Sequence, residues 1–208
     1  MLNRLFFFVV LSVAFVSASK PCDGQIVIVL DASHDSAAFD GLDFVYQNTL
    51  VKELFTSPYF DDFERLAIGA YSYGTNLTDF GDFHNQQDVA DYVDSIQQDS
   101  NWGTWLQLGL YYVIEQNYTA SPGNLTIIFF VSDLEYYEVD DSRAYAVELQ
   151  NKGVRLVLIG HGDFNQDFIN MDRLAQVTGD PNTVFKWEDG ERLPAKDYQD
   201  WFKQVLGC

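Results

Sequence analysis

This 208-residue sequence predicts an α/β fold, a doubly wound and mostly parallel six-stranded sheet with helices on both faces. Short apolar runs alternate with segments whose apolar residues recur every three or four positions, a pattern of alternating strands and helices. The strand-like runs are mostly apolar, and residues 26–30 are apolar without interruption, as expected for strands that are buried on both faces. Acidic and hydroxyl residues follow two of these runs, at the edge where such sheets bind their ligands.

Five apolar runs are predicted to be strands, and a sixth segment is predicted to be a short antiparallel edge strand. The five runs cover residues 26–30, 66–73, 125–131, 154–159 and 183–187, and the edge strand covers residues 77–83. Each run is four to eight residues long, which is the usual length of a strand in a globular protein.

Helical periodicity fills the segments between the strands. One apolar stripe predicts the first helix, and a second stripe predicts a central helix that begins near Thr104. The first stripe is Phe39, Leu42, Tyr46, Leu50 and Leu54, and the second is Leu106, Leu110, Val113 and Ile114. Three more helices are predicted over residues 143–151, 172–177 and 195–206; Lys152 and Gly153 give the first of these a typical C-cap.

The first 19 residues have the pattern of a secretory signal peptide. Arg4 precedes an apolar run over residues 5–16, and the small residues Ser17 and Ala18 follow it. A membrane anchor is the competing interpretation, but this run is too short to span a bilayer. We therefore expect residues 20–208 to be a single soluble domain that is secreted to the extracellular space.

The charge of the chain limits its partners. The formal net charge is −19, and a nucleic acid or an anionic lipid surface would repel such a molecule. We expect neither nucleic-acid binding nor membrane insertion. We expect a monomer whose partner is an extracellular protein, a matrix component or a glycan.

Two cysteines and three sequons agree with secretion. Cys22 and Cys208 bracket the mature chain, and in an oxidising compartment such a pair predicts a disulfide. Closing so long a loop is worth about 5 kcal/mol in the chain-entropy model. A free terminal thiol and an intermolecular bridge are the alternatives. Asn76, Asn117 and Asn124 each begin an Asn-x-Thr triplet and are predicted glycosylation sites.

Oxygen-bearing side chains from three distant segments are predicted to meet around one cation. Asp31, Ser33 and Asp35 follow the first strand, Thr104 starts the central helix, and Asp133 follows the fourth strand. Carboxylates and hydroxyls, with no sulfur and no imidazole among them, suit a hard divalent cation, namely magnesium or calcium, with manganese as a further candidate.

This constellation resembles the metal-ion-dependent adhesion site of von Willebrand factor type A domains. That family carries Asp-x-Ser-x-Ser in its first loop, a Thr in its second and an Asp in its third, which Asp31, Ser33, Thr104 and Asp133 match. Three further passages, residues 64–73, 151–160 and 171–193, are similar to the family's second strand and to its later strand and helix segments. The resemblance implies a non-enzymatic binding or adhesion module with a metal at the carboxyl ends of its strands.

The chain departs from the family pattern at two positions. Asp35 stands where the second Ser belongs, and a third carboxylate would make the metal less electrophilic and would favour calcium. Ser36 replaces the missing hydroxyl if the loop shifts by one residue. Leu134 stands where a Gly commonly follows the third-loop Asp.

Two other interpretations stay open. In one, the metal site is structural or has decayed, and aromatic and acidic loops bind the partner. Trp102, Tyr136 and Tyr137 are the candidate contact residues, whereas Trp105 is expected to pack on the central helix. In the other, the clustered carboxylates form a metal-dependent hydrolase, but no cationic clamp or positioned base accompanies them. His34 and His161 follow strands at the same edge and are interpreted as ordinary loop residues.

Overall fold

A computed structural model of the chain describes residues 24–33, 43–55, 62–100, 105–118, 124–132, 134, 138–162, 171–188 and 195–207. The strands are β1 Gln25–Asp31, β2 Leu66–Tyr71, β3 Thr75–Leu77, β4 Leu125–Val131, β5 Arg155–Gly162 and β6 Val184–Glu188. The helices are α1 Asp43–Phe55, α2 Gln86–Ser95, α3 Leu106–Glu115, α4 Glu138–Asn151, α5 Met171–Thr178 and α6 Ala195–Leu206, with 3₁₀ turns at Phe63–Arg65 and Pro181–Thr183.

The strands form one six-stranded sheet in the order β3-β2-β1-β4-β5-β6. Every pairing is parallel except that of β2 with β3. The predicted fold class is therefore confirmed. The parallel ladder places the carboxyl ends of β1, β2, β4 and β5 along the same edge of the sheet, which we call the carboxyl edge.

Each central strand contributes to two separate cores, which explains why these strands are apolar on both faces. In β1, Ile26, Ile28 and Leu30 pack with residues of α1, α2 and α6. Val27 and Val29 point the other way and pack with residues of α3, α4 and α5. Since successive side chains of a strand point to opposite faces, helices cover both faces of the sheet.

Two helices differ from the sequence prediction. Helix α2 was not predicted, although Asn85 caps it by accepting hydrogen bonds from the backbone N–H groups of Gln87 and Asp88. Helix α4 begins at Glu138 rather than at Arg143. The acidic residues of its first turn lie at the positive end of the helix dipole, which they stabilise, and this explains the earlier start. Its C-terminal boundary was predicted correctly.

The edge strand lies earlier than predicted. It spans Thr75–Leu77 and pairs antiparallel with β2, whereas the sequence predicted residues 77–83. Gly69 of β2 allows this close approach, since a Cβ at this position would lie 2.3 Å from the backbone oxygen of Asn76. After β3 the chain turns away through Gly81, whose φ is +92°.

Within the described residues, no helix combines the length and apolar character needed to cross a membrane.

Candidate metal centre

Asp31 is the best-defined residue of the predicted metal site. It is the last residue of β1 and its side chain is completely buried. One carboxylate oxygen, Oδ1, accepts a hydrogen bond from the backbone N–H of Ser33 at 3.0 Å. The other, Oδ2, accepts from the backbone N–H of Ser132 at 3.0 Å and from the Ser132 hydroxyl. Asp31 thus ties the end of β1 to the end of β4.

Gln47 of α1 holds the backbone of Asp31, a role that the sequence analysis missed. The β1–β4 ladder ends where Val29 lies opposite Phe129, so β4 offers Asp31 no backbone partner. The side chain of Gln47 replaces it: Oε1 accepts from the N–H of Asp31 at 2.9 Å, and Nε2 donates to the carbonyl of Asp31. Gln47 is itself fully buried. A polar residue within the apolar stripe of α1 was the signal that could have revealed this role.

Burial raises the pKa of Asp31 from 3.8 to about 6. Desolvation penalises the charged form, and the hydrogen bonds from Ser132 and Ser33 offset only part of that penalty. A nearby cation would act in the opposite direction, because an opposite charge favours the ionised carboxylate. The buried carboxylate is therefore an electrostatic reason for a cation at this edge.

The described part of the site fits a divalent cation that prefers oxygen ligands. Asp31 supplies a carboxylate, and Ser33, which is also completely buried, supplies a hydroxyl two residues later. Asp35, Thr104 and Asp133 lie outside the described residues, as do Ser36 and His34. Within the described ranges alone, no three His, Cys, Asp or Glu side chains are grouped closely enough to hold a metal. The five-residue ligand set therefore remains a prediction.

Leu134, which follows the third-loop Asp133 in the sequence, is held both by apolar packing and by a hydrogen bond to its carbonyl. Leu134 is only 2% exposed and packs with the core beneath α3 and α4. Its carbonyl accepts a hydrogen bond from Nη1 of Arg173, a residue of α5, at 2.9 Å. The leucine that replaces the family's glycine thus serves as an apolar anchor for the loop.

Aromatic residues border the second loop. Trp105 precedes α3 in the left-handed conformation, with φ and ψ both +45°, and is partly buried. Its ring packs edge-on against Tyr73, at 5.9 Å between ring centroids, and Tyr73 is 64% exposed. The ring contact that the structure shows for Trp105 is with Tyr73 of the β2–β3 turn, whereas the sequence predicted packing on the central helix. Trp102, Tyr136 and Tyr137 lie outside the described residues.

The predicted glycosylation sites, the histidine after the fifth predicted strand and the cysteines lie in several parts of the chain. Asn76, Asn117 and Asn124 are all exposed, as glycosylation sites must be. Asn124 precedes β4, and its carbonyl accepts from Gln25 at the start of β1, so it lies at the edge opposite to Asp31. His161 lies within β5, opposite Trp187 of β6, so its interpretation as a loop residue was wrong. The signal peptide and both cysteines lie outside the described residues.

The sequence pattern of the family described as von Willebrand factor type A domain matches residues 25–200 of this chain. The chain belongs to this family. The match covers every strand of the sheet and all three segments predicted to supply metal ligands. No curated protein sequence matches the type A domain described here.

Solved structures support the same fold for this type A domain. The proximal thread matrix protein 1 from the mussel byssus superposes with a TM-score of 0.69 at 17% identity, covering 88% of this chain and 46% of that chain. The same protein with a zinc-occupied MIDAS motif, the metal-ion-dependent adhesion site, gives a TM-score of 0.68 at 15% identity, covering 89% and 46%. Our chain thus spans slightly less than half the length of the mussel protein.

A further similar structure is the manganese-loaded TRAP protein of Plasmodium vivax. Its TM-score is 0.61 at 14% identity, and the alignment covers 89% of this chain and 74% of that chain. At these identities the likeness establishes the fold of our type A domain. Two of the similar structures nevertheless carry a divalent metal, so this fold accommodates one.

Proposed function

We propose that this type A domain is a secreted extracellular adhesion module that binds a partner through a divalent cation at the carboxyl edge of its sheet. The observation that carries the proposal is the environment of Asp31. A carboxylate with no exposure to solvent ends the central strand, and its hydrogen bonds come from the loops after β1 and β4. In an apolar interior, a buried charge is stable only when it is paired or coordinates a metal.

The ligands in this proposal are Asp31, Ser33, Asp35, Thr104 and Asp133. When bound, the cation supplies an electrophilic centre that attracts an acidic group of a partner. The residues of this chain orient the site: Gln47 fixes the strand end, and Ser132 fixes one carboxylate oxygen of Asp31. Magnesium, calcium and manganese are the candidate ions, and zinc joins them because it occupies the MIDAS motif of the mussel protein.

The partner in this proposal is a protein, a matrix component or a glycoconjugate outside the cell. The signal-peptide pattern, the three exposed Asn-x-Thr sites and the cysteine pair support secretion. The mussel byssus protein, described as a thread matrix protein, supports a matrix partner by analogy of fold. Membership of the type A family supports binding rather than catalysis.

Metal titration tests the site directly. We expect the chelated full chain, expressed in a secreting host, to bind magnesium, calcium or manganese with one site per chain in calorimetry. Asp31→Ala should abolish that binding, and so should Asp133→Ala. The matched control is Asp91→Ala, which removes an exposed carboxylate of α2. Equal cation binding by Asp31→Ala and Asp91→Ala would overturn the metal assignment.

Adhesion requires a second measurement, because a metal can be purely structural. Wild type and Asp31→Ala are compared for binding to an array of extracellular matrix proteins and glycans, with and without chelator. Metal-dependent capture that Asp31→Ala loses supports the adhesion module. Chelation that lowers the melting temperature but leaves capture unchanged would instead favour a scaffold whose loops bind the partner.

A further inference from the structure

We propose that a pocket beside the metal centre binds a basic side chain, an arginine or a lysine, of the partner protein. The pocket has a volume of about 540 Å³ and lies between the carboxyl ends of β1 and β2, the β2–β3 turn and the end of α2. Its lining includes Ala32, Ser72, Gly74, Thr75, Ile96 and Asp99. None of these residues belongs to the predicted set of metal ligands.

Asp99 gives the pocket its charge. Among the described residues that line it, Asp99 is the charged one. Its carboxylate oxygen Oδ2 accepts a hydrogen bond from the hydroxyl of Ser72 at 2.8 Å, and its backbone N–H donates to the carbonyl of Ala32 at 2.7 Å. Ser72 is only 8% exposed. Asp99 is thus anchored to the end of β2 through its carboxylate and to the end of β1 through its backbone.

The remaining lining suits the body of a long basic side chain. Ala32, Ala70, Ile96 and the ring of Tyr92 supply apolar surface for the methylene groups of lysine or arginine. The hydroxyl oxygen of Thr75 is buried and has no hydrogen-bond partner among the described residues. Apolar walls with a carboxylate and a hydroxyl match a side chain that is apolar along its stem and cationic at its head.

Charge selects the class of ligand. The carboxylate of Asp99 and the net charge of −19 repel anionic ligands and attract cations. A guanidinium or ammonium group would form a charge-assisted hydrogen bond with the carboxylate, which is about twice as strong as a neutral one. A neutral sugar hydroxyl can donate to the same carboxylate, but it lacks the attraction between opposite charges that a basic group adds. The observations therefore favour a basic side chain over a glycan.

The pocket adjoins the metal centre at Ala32. Ala32 lines the pocket and lies between Asp31 and Ser33 in the chain. If the proposed function holds, the partner presents an acidic group to the metal and a basic group to the pocket, side by side. Only this pairing rests on the proposed function, since binding of a cationic side chain to the pocket needs no metal.

Capped amino acids provide the test. The full mature chain, labelled with ¹⁵N, is titrated with N-acetyl-arginine methylamide, with its neutral citrulline analogue and with methyl mannoside, in chelator and in magnesium. We expect the arginine compound to shift the amide signals of Ser72, Thr75 and Asp99 under both conditions. Citrulline and the mannoside should cause little shift.

Three variants make the test specific. Asp99→Asn should weaken arginine binding by about tenfold or more, the equivalent of one charge-assisted hydrogen bond. Asp91→Asn makes the same charge change on the exposed face of α2 and should leave binding unchanged. Gly74→Phe keeps the carboxylate and places a large side chain on the lining; a Cβ at Gly74 meets no atom within 4 Å, so the site tolerates the substitution. It should abolish the shifts while the protein stays folded.

Several results would overturn the proposal. Equal binding of arginine and citrulline, or stronger binding of the mannoside, would make the pocket a site for neutral polar ligands. Equal weakening by Asp99→Asn and Asp91→Asn would reduce the effect to diffuse surface charge. Unchanged binding by Gly74→Phe would place the ligand elsewhere. If calorimetry finds no cation site in the wild-type chain while arginine still binds, the proposed function fails and the pocket assignment stands.

Discussion

Substitution of Asp31 by Asn tests how much the buried carboxylate changes the free energy of unfolding. The test depends on the raised pKa of this carboxyl group. The carboxyl group has a pKa of about 6 in the folded protein and an ordinary value of 3.8 in the unfolded chain. The folded state therefore holds the proton more tightly. The stability that the neutral carboxyl contributes is complete below pH 3.8 and is lost as the pH rises through 6.

The size of the effect follows from the same two values. In the metal-free protein the ionised carboxylate costs about 3 kcal/mol of folding free energy at neutral pH. About half of this cost develops above roughly pH 5, a range that lies above the isoelectric point near 4.1. Asp31→Asn removes the ionisation, and it leaves one backbone N–H without its acceptor at a cost of about 1–3 kcal/mol at every pH.

Denaturant unfolding in the presence of chelator provides the assay. The free energy of unfolding of wild type minus that of Asp31→Asn should fall by about 1.5 kcal/mol between roughly pH 5 and pH 7.5. The subtraction cancels the other carboxyl groups, which titrate in both proteins. Saturating magnesium or calcium should then stabilise wild type and abolish the fall, because the ion binds the ionised folded form.

If the difference in the free energy of unfolding between wild type and Asp31→Asn does not change with pH across this range, burial does not raise the pKa of Asp31. This result would mean that the carboxylate of Asp31 is already stabilised in the metal-free protein, by water or by a charge near it. The buried carboxylate would then give no electrostatic reason for a cation. Stabilisation of Asp31→Asn and wild type to the same extent by magnesium would likewise count against coordination through Asp31.

Three further predictions concern the support of the site. Gln47→Leu should lower the free energy of unfolding by about 2–4 kcal/mol, because two backbone groups of Asp31 lose their partner. It should also weaken cation binding in calorimetry. An unchanged cation affinity would show that the end of β1 needs no support from Gln47. Gly69→Ala should cost about 2 kcal/mol or more, because its Cβ would collide with the backbone of Asn76. Gly74→Ala in the same hairpin should cost little, and equal melting temperatures of the two variants would contradict the close approach. Asp35→Ser should restore the family pattern and shift metal preference from calcium toward magnesium; a preference that does not change would remove Asp35 from the ligand set.

Much of the fold was predictable because the strands are apolar on both faces. The bounds predicted for β4 and α6 agree with the structure residue by residue. Helix α2 escaped prediction because only Val89 and Val93 of its residues are buried, so its apolar stripe is narrow. Edge strand β3 was misplaced because its position depends on the backbone contact at Gly69, which hydrophobic pattern does not encode.

The candidate site was predictable only in part. Asp31 and Ser33 follow an obvious strand, and their burial agrees with the role that the resemblance implied. The supporting residues Gln47, Ser132 and Arg173 come from segments that are distant in sequence. No local pattern joins them to Asp31 or Leu134, since their contacts exist only after the sheet has assembled. Asp99 was missed for the same reason.

The shortness of strand β3, which has three residues, limits the backbone that it offers to a second copy of this chain. A sheet margin with unpaired backbone groups invites another chain to add to it, which leads to aggregation. Here that margin is very short, and Asn76 at its centre is an exposed Asn-x-Thr site. An oligosaccharide attached there would stand where an incoming strand must lie. The same modification would then keep the sheets of two copies from joining at this margin.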